Sequence, residues 1–219
     1  MEPATRRQST RQPLSLTSIV DAAVAIADRE GLDSVSIRRV ASELQGRPMS
    51  LYSFIDSKEG LVARMLDAVV AEMVVDELPG NWREALLAIA QRTMEVGERH
   101  PWMVVASVQS GVPGPNMVAH GMQTFEALAG LGVDEARARS FAQAIDVYTI
   151  GFATVSGAGP DAPADRRQFM DGITWLLDGF ERELASAATA AGTAVGSAVQ
   201  VPDARQPASL PEKPARKIK

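Results

Sequence analysis

The sequence predicts an all-α protein with a helix-turn-helix near its start. Three observations carry this reading. Apolar residues recur at three- and four-residue spacing along most of the chain. Ala and Leu are abundant, whereas aromatic residues make up 5% of the 219 residues. Between Leu14 and Met73, short helical stretches are punctuated by Ser, Gly and Pro at positions where helices start and stop. At 46% hydrophobic residues, the chain can bury a real core in one or two domains.

Residues 1–14 read as a flexible basic arm containing Arg6, Arg7 and Arg11. Ser15 is placed to cap a helix that buries Ile19, Ala23, Ile26 and Ala27 and stops at Gly31. Ser36 caps a second, short helix with Ile37, Val40, Ala41 and Leu44 inward and Arg38 and Arg39 on the other side. A tight Gln45-Gly46 turn leads to a third helix over 47–54. Ser57 opens a longer one with Leu61, Met65, Val69 and Met73 on one stripe, ended by Pro79-Gly80. Over 82–99 the set Trp82, Leu86, Ile89, Thr93 and Val96 follows helical spacing. His100-Pro101 breaks it before a short helix over 102–108. Gly111 to Pro115 is a loop, followed by a helix over 116–131. Asp134 caps the next, whose face is Phe141, Ile145, Tyr148, Phe152 and Val155. Gly157 to Pro163 is a second loop. The last strong helix, 166–184, carries Phe169, Ile173, Leu176, Phe180 and Leu184. Residues 186–219, rich in Ala, Gly, Pro and Lys, read as a disordered tail. The domain organisation expected is therefore an arm at 1–14, a DNA-binding unit at 15–60, a regulatory unit at 61–185 and the tail.

Composition excludes several classes of function. The chain has no cysteine, so disulfides and cysteine-ligated zinc are ruled out. His100 and His120 are the only histidines and fit no metal-binding spacing, so no metal or other cofactor is expected. No apolar run is long enough for a membrane span, and the stretch from Met1 to Pro13 is polar, so a cytoplasmic protein is expected. Gly111 to Pro115 lacks the Gly-Lys-Ser/Thr ending of a phosphate cradle. No serine–histidine–aspartate or paired-carboxylate set can be assembled, and catalysis has no residue to rest on. Net charge is -5, but it is unevenly spread: 0 over residues 1–60, -8 over 61–190 and +3 over 191–219. Phosphate attraction is local, acting within a Debye length of about 8–10 Å, so the acidic middle does not exclude nucleic acid.

Two short helices joined by a glycine turn place the second in the DNA major groove. On this reading Ser36, Arg38 and Arg39 lie beside the turn, and Arg47, Pro48, Ser50 and Ser53 occupy the polar face opposite Leu51 and Ile55. Arg47 has the chemistry to read guanine bidentately, and Lys58 to touch phosphate. A solvated arginine or lysine would leave the same sequence. The nine methionines, recurring in the middle helices, suit either ordinary core filling or an adaptable pocket for greasy ligands.

The chain resembles the TetR family of one-component transcription regulators. The matching text is Ile19 to Ala23, Gly31-Leu32, Ser36 to Ala41, Leu51-Tyr52 and Lys58 to Leu61. Further on it includes Trp82-Arg83-Glu84, His100-Pro101-Trp102, Gly114-Pro115-Asn116, Tyr148-x-x-Gly151-Phe152 and Gly179-Phe180-Glu181. The resemblance implies a phosphate contact from Tyr52, although a packing role fits this residue too. It also implies a cavity among the middle helices lined by Trp82, Met94, Met103, Ser107, Phe125, Tyr148 and Phe152. Three departures stand out. Gln45-Gly46 replaces the usual Gly followed by Val or Ile. Phe54 replaces a histidine. Val74 and Ser107 stand near the places of the drug- and magnesium-chelating histidines, so neither tetracycline nor magnesium is carried over.

The expected function is a homodimeric repressor that binds a near-palindromic double-stranded operator and is released by a small hydrophobic effector. The rivals are a small helical ligand carrier or enzyme, and a DNA-binding regulator that answers to no ligand.

Overall fold

The computed structural model describes residues 14–110, 112–155 and 162–197. Among these, every regular element is helical. The expected basic arm lies outside the described residues, apart from Leu14.

Local chemistry sets the first elements. In α1 (Leu16–Glu30), the Ser15 hydroxyl accepts from the Ser18 amide at 3.1 Å. The Ser18 hydroxyl in turn accepts from the Ser15 amide at 3.0 Å. This closes a capping box that satisfies two end groups. Gly31 ends the helix at φ 85°, a conformation costly for a residue with a Cβ. Ser36 caps α2 (Ile37–Glu43) by accepting from the Arg39 amide. The turn after α2 passes through Gln45 at φ 51°. A side-chain-bearing residue thus takes the left-handed position there. Next is α3 (Pro48–Leu51), shorter than the expected 47–54. Beyond it the chain keeps coiling as a turn, with the Phe54 and Ile55 amides donating to the Leu51 carbonyl, until Ile55 is buried. Ser57 caps α4 (Lys58–Ala71).

Then come α5 (Trp82–Arg99), α6 (Met103–Gln109), α7 (Pro115–Leu128), α8 (Glu135–Val155) and α9 (Ala162–Ser197). Asn81 caps α5, and the Asp134 carboxylate accepts from the Arg137 amide at the start of α8. Residues 129–131 form a short 3₁₀ turn rather than the last turn of α7.

One apolar cluster joins α1, α2, α3 and α4 to Val96, Trp102, Met103 and Ala106. Leu61, Met65, Val69 and Met73 are all buried, as their spacing predicts. Because α4 supplies so much of this core, residue 60 marks no seam in the packing. Contacts group Met1–Phe180 into one compact unit and Glu181–Lys219 into another.

Within the first unit, Arg83 pairs with Asp178 and Arg166 with Glu98, so α5 and the start of α9 run antiparallel. Phe141 stacks on Phe180 and Tyr148 on Phe169, so α8 and α9 are antiparallel too. It follows that α5 and α8 run parallel. A Cβ on Gly97 would lie 3.0 Å from that of Ala153, which fixes their register.

Two packing expectations are corrected. Val155 is 89% exposed and leaves the α8 stripe. On α9 the buried position is Leu177, not Leu176. The stripe takes a four-residue step from Ile173 to Leu177 and a three-residue step on to the buried Phe180, both allowed on one helix face. The second unit's described part is the end of α9. The helix continues through residues 186–197, where a disordered tail was expected. That stretch is Ala-rich, and Ala has the highest helix propensity. Residues 198–219 lie outside the described residues.

Candidate DNA-reading face and regulatory core

Around α3 the structure gathers an exposed polar and basic surface. Arg38, Arg47, Ser50, Tyr52, Ser53 and Lys58 are exposed, and Pro48 is half-buried at the first position of the helix. Among the described residues Arg38, Arg47 and Lys58 take part in no ion pair. Leu51 and Ile55 anchor the opposite side in the core. Met49, 76% exposed on α3, is a member the sequence reading missed. An apolar side chain there can lie against a thymine methyl group.

Two expected members are engaged elsewhere. The Ser36 hydroxyl is used as the cap of α2. Arg39 is held by Glu30 and Glu43, each at 2.7 Å, and Arg29 reaches the same two carboxylates. Hydrogen bonds from Arg39 hold both carboxyls below the usual glutamate range, and those carboxylates push the Arg39 guanidinium up. Arg39 therefore ties α1 to α2 and leaves the free basic set.

Two clamps tie this unit to the helices that follow it. On α4, the Asp67 carboxylate accepts from the Asn116 amide at 2.9 Å and from its side chain at 3.0 Å. It serves as the missing cap of α7. Gly114 packs so closely on Asp67 that a Cβ there would collide with the carboxylate. The second clamp starts on α1. Asp28 Oδ1 accepts from the indole nitrogen of Trp102 at 2.7 Å and lies 2.8 Å from His100 Nδ1. Both rings are buried, and His100 Nε2 is 3.6 Å from Glu72 at the end of α4. Glu72 is also held by Arg99. The break predicted at His100-Pro101 is thus where the α5–α6 junction grips α1.

Among the described residues, the seven expected effector residues are spread over several surroundings, and Ser107 and Trp82 line different clefts. Tyr148 and Phe152 cluster with Phe169 between α8 and α9. Ser107 faces a cleft of about 200 Å³ between α4 and the α6–α7 loop, with Leu66, Asp67 and Met117. An adjoining cleft of about 340 Å³ reaches Lys58. Trp82 faces a different cleft, beside Glu126 and Leu131. Met103 is buried in the N-terminal core, Met94 is buried on α5, and Phe125 is half-buried on α7. Helical spacing identifies a buried face but not its neighbour, and these seven have different neighbours.

The sequence reading set Thr93 on an apolar helix face but missed its buried polar companions His120, Thr124 and Thr149. Thr93, His120, Thr124 and Thr149, on α5, α7 and α8, are all buried. The available signal was a set of hydrogen-bonding residues on otherwise apolar stripes. Among the described residues no group of three His, Cys, Asp or Glu side chains is placed to hold a metal ion, and no helix is long and apolar enough to cross a membrane.

A helix-turn-helix with an open basic face, carried on a helical body, is the architecture of a one-component DNA-binding regulator. Residues 76–188 match the family model described as the tetracyclin repressor-like, C-terminal domain, and the chain belongs to the TetR family. This is a family of transcription regulators. The chain is 36% identical over 154 residues to the HTH-type transcriptional repressor DrrR1 of Streptomyces coeruleorubidus. That match covers 68% of this chain and only 57% of the relative's length. Among solved structures, apo ActR from Streptomyces coelicolor superposes with a TM-score of 0.69 at 23% identity. It covers 80% of this chain and 99% of that one, a likeness of fold. BioQ of Mycobacterium smegmatis with its double-stranded DNA operator superposes with a TM-score of 0.63 at 26% identity, covering 76% and 98%.

Proposed function

We propose that the protein is a sequence-specific transcription repressor that binds a near-palindromic operator as a homodimer and is released by a small, mostly hydrophobic effector. A DNA target puts its work in the cytoplasm. The observation that carries the reading is the exposed face of Arg38, Arg47, Tyr52 and Lys58 around a buried Leu51–Ile55 anchor, with its basic groups in no ion pair among the described residues. The repressor name of DrrR1 and the operator in the BioQ structure agree with it. A single short α3 reads too few base pairs for specificity, and two copies about one helical turn apart, ~34–36 Å, remedy this. Val147 on α8 is 64% exposed and Trp175 on α9 is 71% exposed. They supply apolar surface for pairing with a second copy.

The test is selection of a binding site from random duplexes, followed by titration of Arg47→Ala and Lys58→Ala at several salt concentrations. Arg47→Ala should lose ~1–3 kcal/mol on the selected site and little on scrambled DNA. Lys58→Ala should weaken both and lower the salt slope by about 1. Equal losses of Arg47→Ala on both duplexes would remove its reading role. Light scattering at micromolar concentration should give a dimer; a monomer with intact operator binding refutes the assembly.

A further inference from the structure

Three helices of the regulatory part each bury polar side chains at one level. His120 of α7 has its Nε2 3.4 Å from the Thr93 hydroxyl of α5. Gly97 packs on Ala153 across the parallel α5–α8 contact. Thr93 and Thr149, each four residues earlier, therefore lie at the same height. Apolar layers flank this level: Ile89 and Ile145 one turn below, with Met94 beside Thr93. His120 is 7% exposed and Thr149 1%. Neither His120 Nδ1 nor the Thr149 hydroxyl has a hydrogen-bond partner among the described residues. A hydroxyl or ring nitrogen left unpaired in a core is destabilising. A core serving stability alone would hold valine and an apolar ring at these places.

We propose that Thr93, His120 and Thr149 are the polar anchor of an effector site inside α5, α7 and α8, and that the effector is an uncharged molecule with an apolar body and a hydroxyl or carbonyl group. The inference rests on the effector-released reading above and specifies its ligand.

The chemistry of the effector follows from the chemistry of the site. Burial lowers the pKa of His120, so the ring is neutral at neutral pH. A neutral ring offers one donor and one acceptor. A threonine hydroxyl both donates and accepts, so a ligand hydroxyl fits either tautomer. A ligand carbonyl accepts from Nδ1–H and from the Thr149 hydroxyl. A charge is disfavoured: burial pushes the carboxyl of Asp146, on the same helix as Thr149, up to about 6. The surrounding Ile89, Met94 and Ile145 suit an apolar body.

The experiment uses the full chain with four probes: 2-naphthol, 1-tetralone, naphthalene and 2-naphthoate. Binding is read by calorimetry, and the ring nitrogens by ¹⁵N NMR, which must resolve only two histidines. The expected result is binding of 2-naphthol ~10-fold tighter than naphthalene, as two hydrogen bonds would give. The Nδ1 resonance of His120 should move with 2-naphthol and not with naphthalene. His120→Phe should abolish the preference for 2-naphthol. Thr149→Val, which keeps the volume and removes an unpaired hydroxyl, should fold as well as the wild type and lose most of that preference. The proposal is overturned if neither 2-naphthol nor 1-tetralone binds, or if 2-naphthoate binds as tightly as 2-naphthol. It also falls if Thr149→Val keeps the full preference, or if the Nδ1 resonance stays fixed because a buried water is the only occupant. The same samples are titrated with the selected operator. Operator binding insensitive to 2-naphthol, beside probe binding that Thr149→Val weakens, upholds this site and overturns effector release.

Discussion

Removing Asp28 tests the grip between α1 and the α5–α6 junction. In Asp28→Ala, the indole N–H of Trp102 and Nδ1 of His100 both lose the one oxygen they share, at 2.7 and 2.8 Å. Their side chains are buried: Trp102 is 5% and His100 6% exposed. An orphaned buried donor costs ~1–3 kcal/mol, so two would cost up to ~6 kcal/mol. The Asp28 side chain is 29% exposed, so water reaches part of the gap. The expected loss is then ~2–4 kcal/mol. For a chain of this length that is a fall in Tm of roughly 5–15 °C. The assay is urea unfolding of Asp28→Ala, of Trp102→Phe, which removes the N–H and keeps a ring, and of the double variant. A coupling energy of about 1 kcal/mol or more is expected between them, because the two changes break the same bond. Additive effects, or a loss below about 0.5 kcal/mol for Asp28→Ala, would refute the reasoning.

Two further outcomes follow from named contacts. Asp146 has its pKa raised from 3.8 to about 6 by burial, so the folded protein binds its proton more tightly than the unfolded chain. Its favourable contribution is complete below pH 3.8 and lost as pH rises through about 6. Asp146→Asn should therefore stabilise the protein above that range by up to about 3 kcal/mol and flatten the pH dependence of Tm between those values; an unchanged Tm–pH profile would contradict this. Gly114→Ala drives a methyl into the Asp67 carboxylate and should cost ~1–3 kcal/mol, measured by thermal unfolding. Adding Asp67→Ala should recover part of that loss by removing the obstacle.

The features legible along the chain were local ones. Ser15, Ser36, Ser57 and Asp134 are recognisable as caps because a cap acts within three residues of itself. Gly31 marks a stop because its backbone angle is set by the chain alone. The helix-turn-helix was legible for the same reason, as was the division of the segment 47–55 into a buried Leu51–Ile55 side and an exposed polar and basic side. Arg38 and Arg39 part company only in three dimensions. They are neighbours with the same charge, but Glu30 comes from another helix and captures one of them. The neighbours of the expected effector residues were likewise out of reach: Tyr148 meets Phe169 and Trp82 faces Leu131, pairings set by helix register rather than spacing. The choice of Leu177 over Leu176 is local, since Phe180 is buried as expected, and is settled by what α9 packs against. His120 shows the limit most clearly. A lone histidine on an apolar stripe has no meaning until two other helices bring Thr93 and Thr149 to its level. Hydrogen bonding acts at about 3 Å in space, and sequence distance carries no record of it.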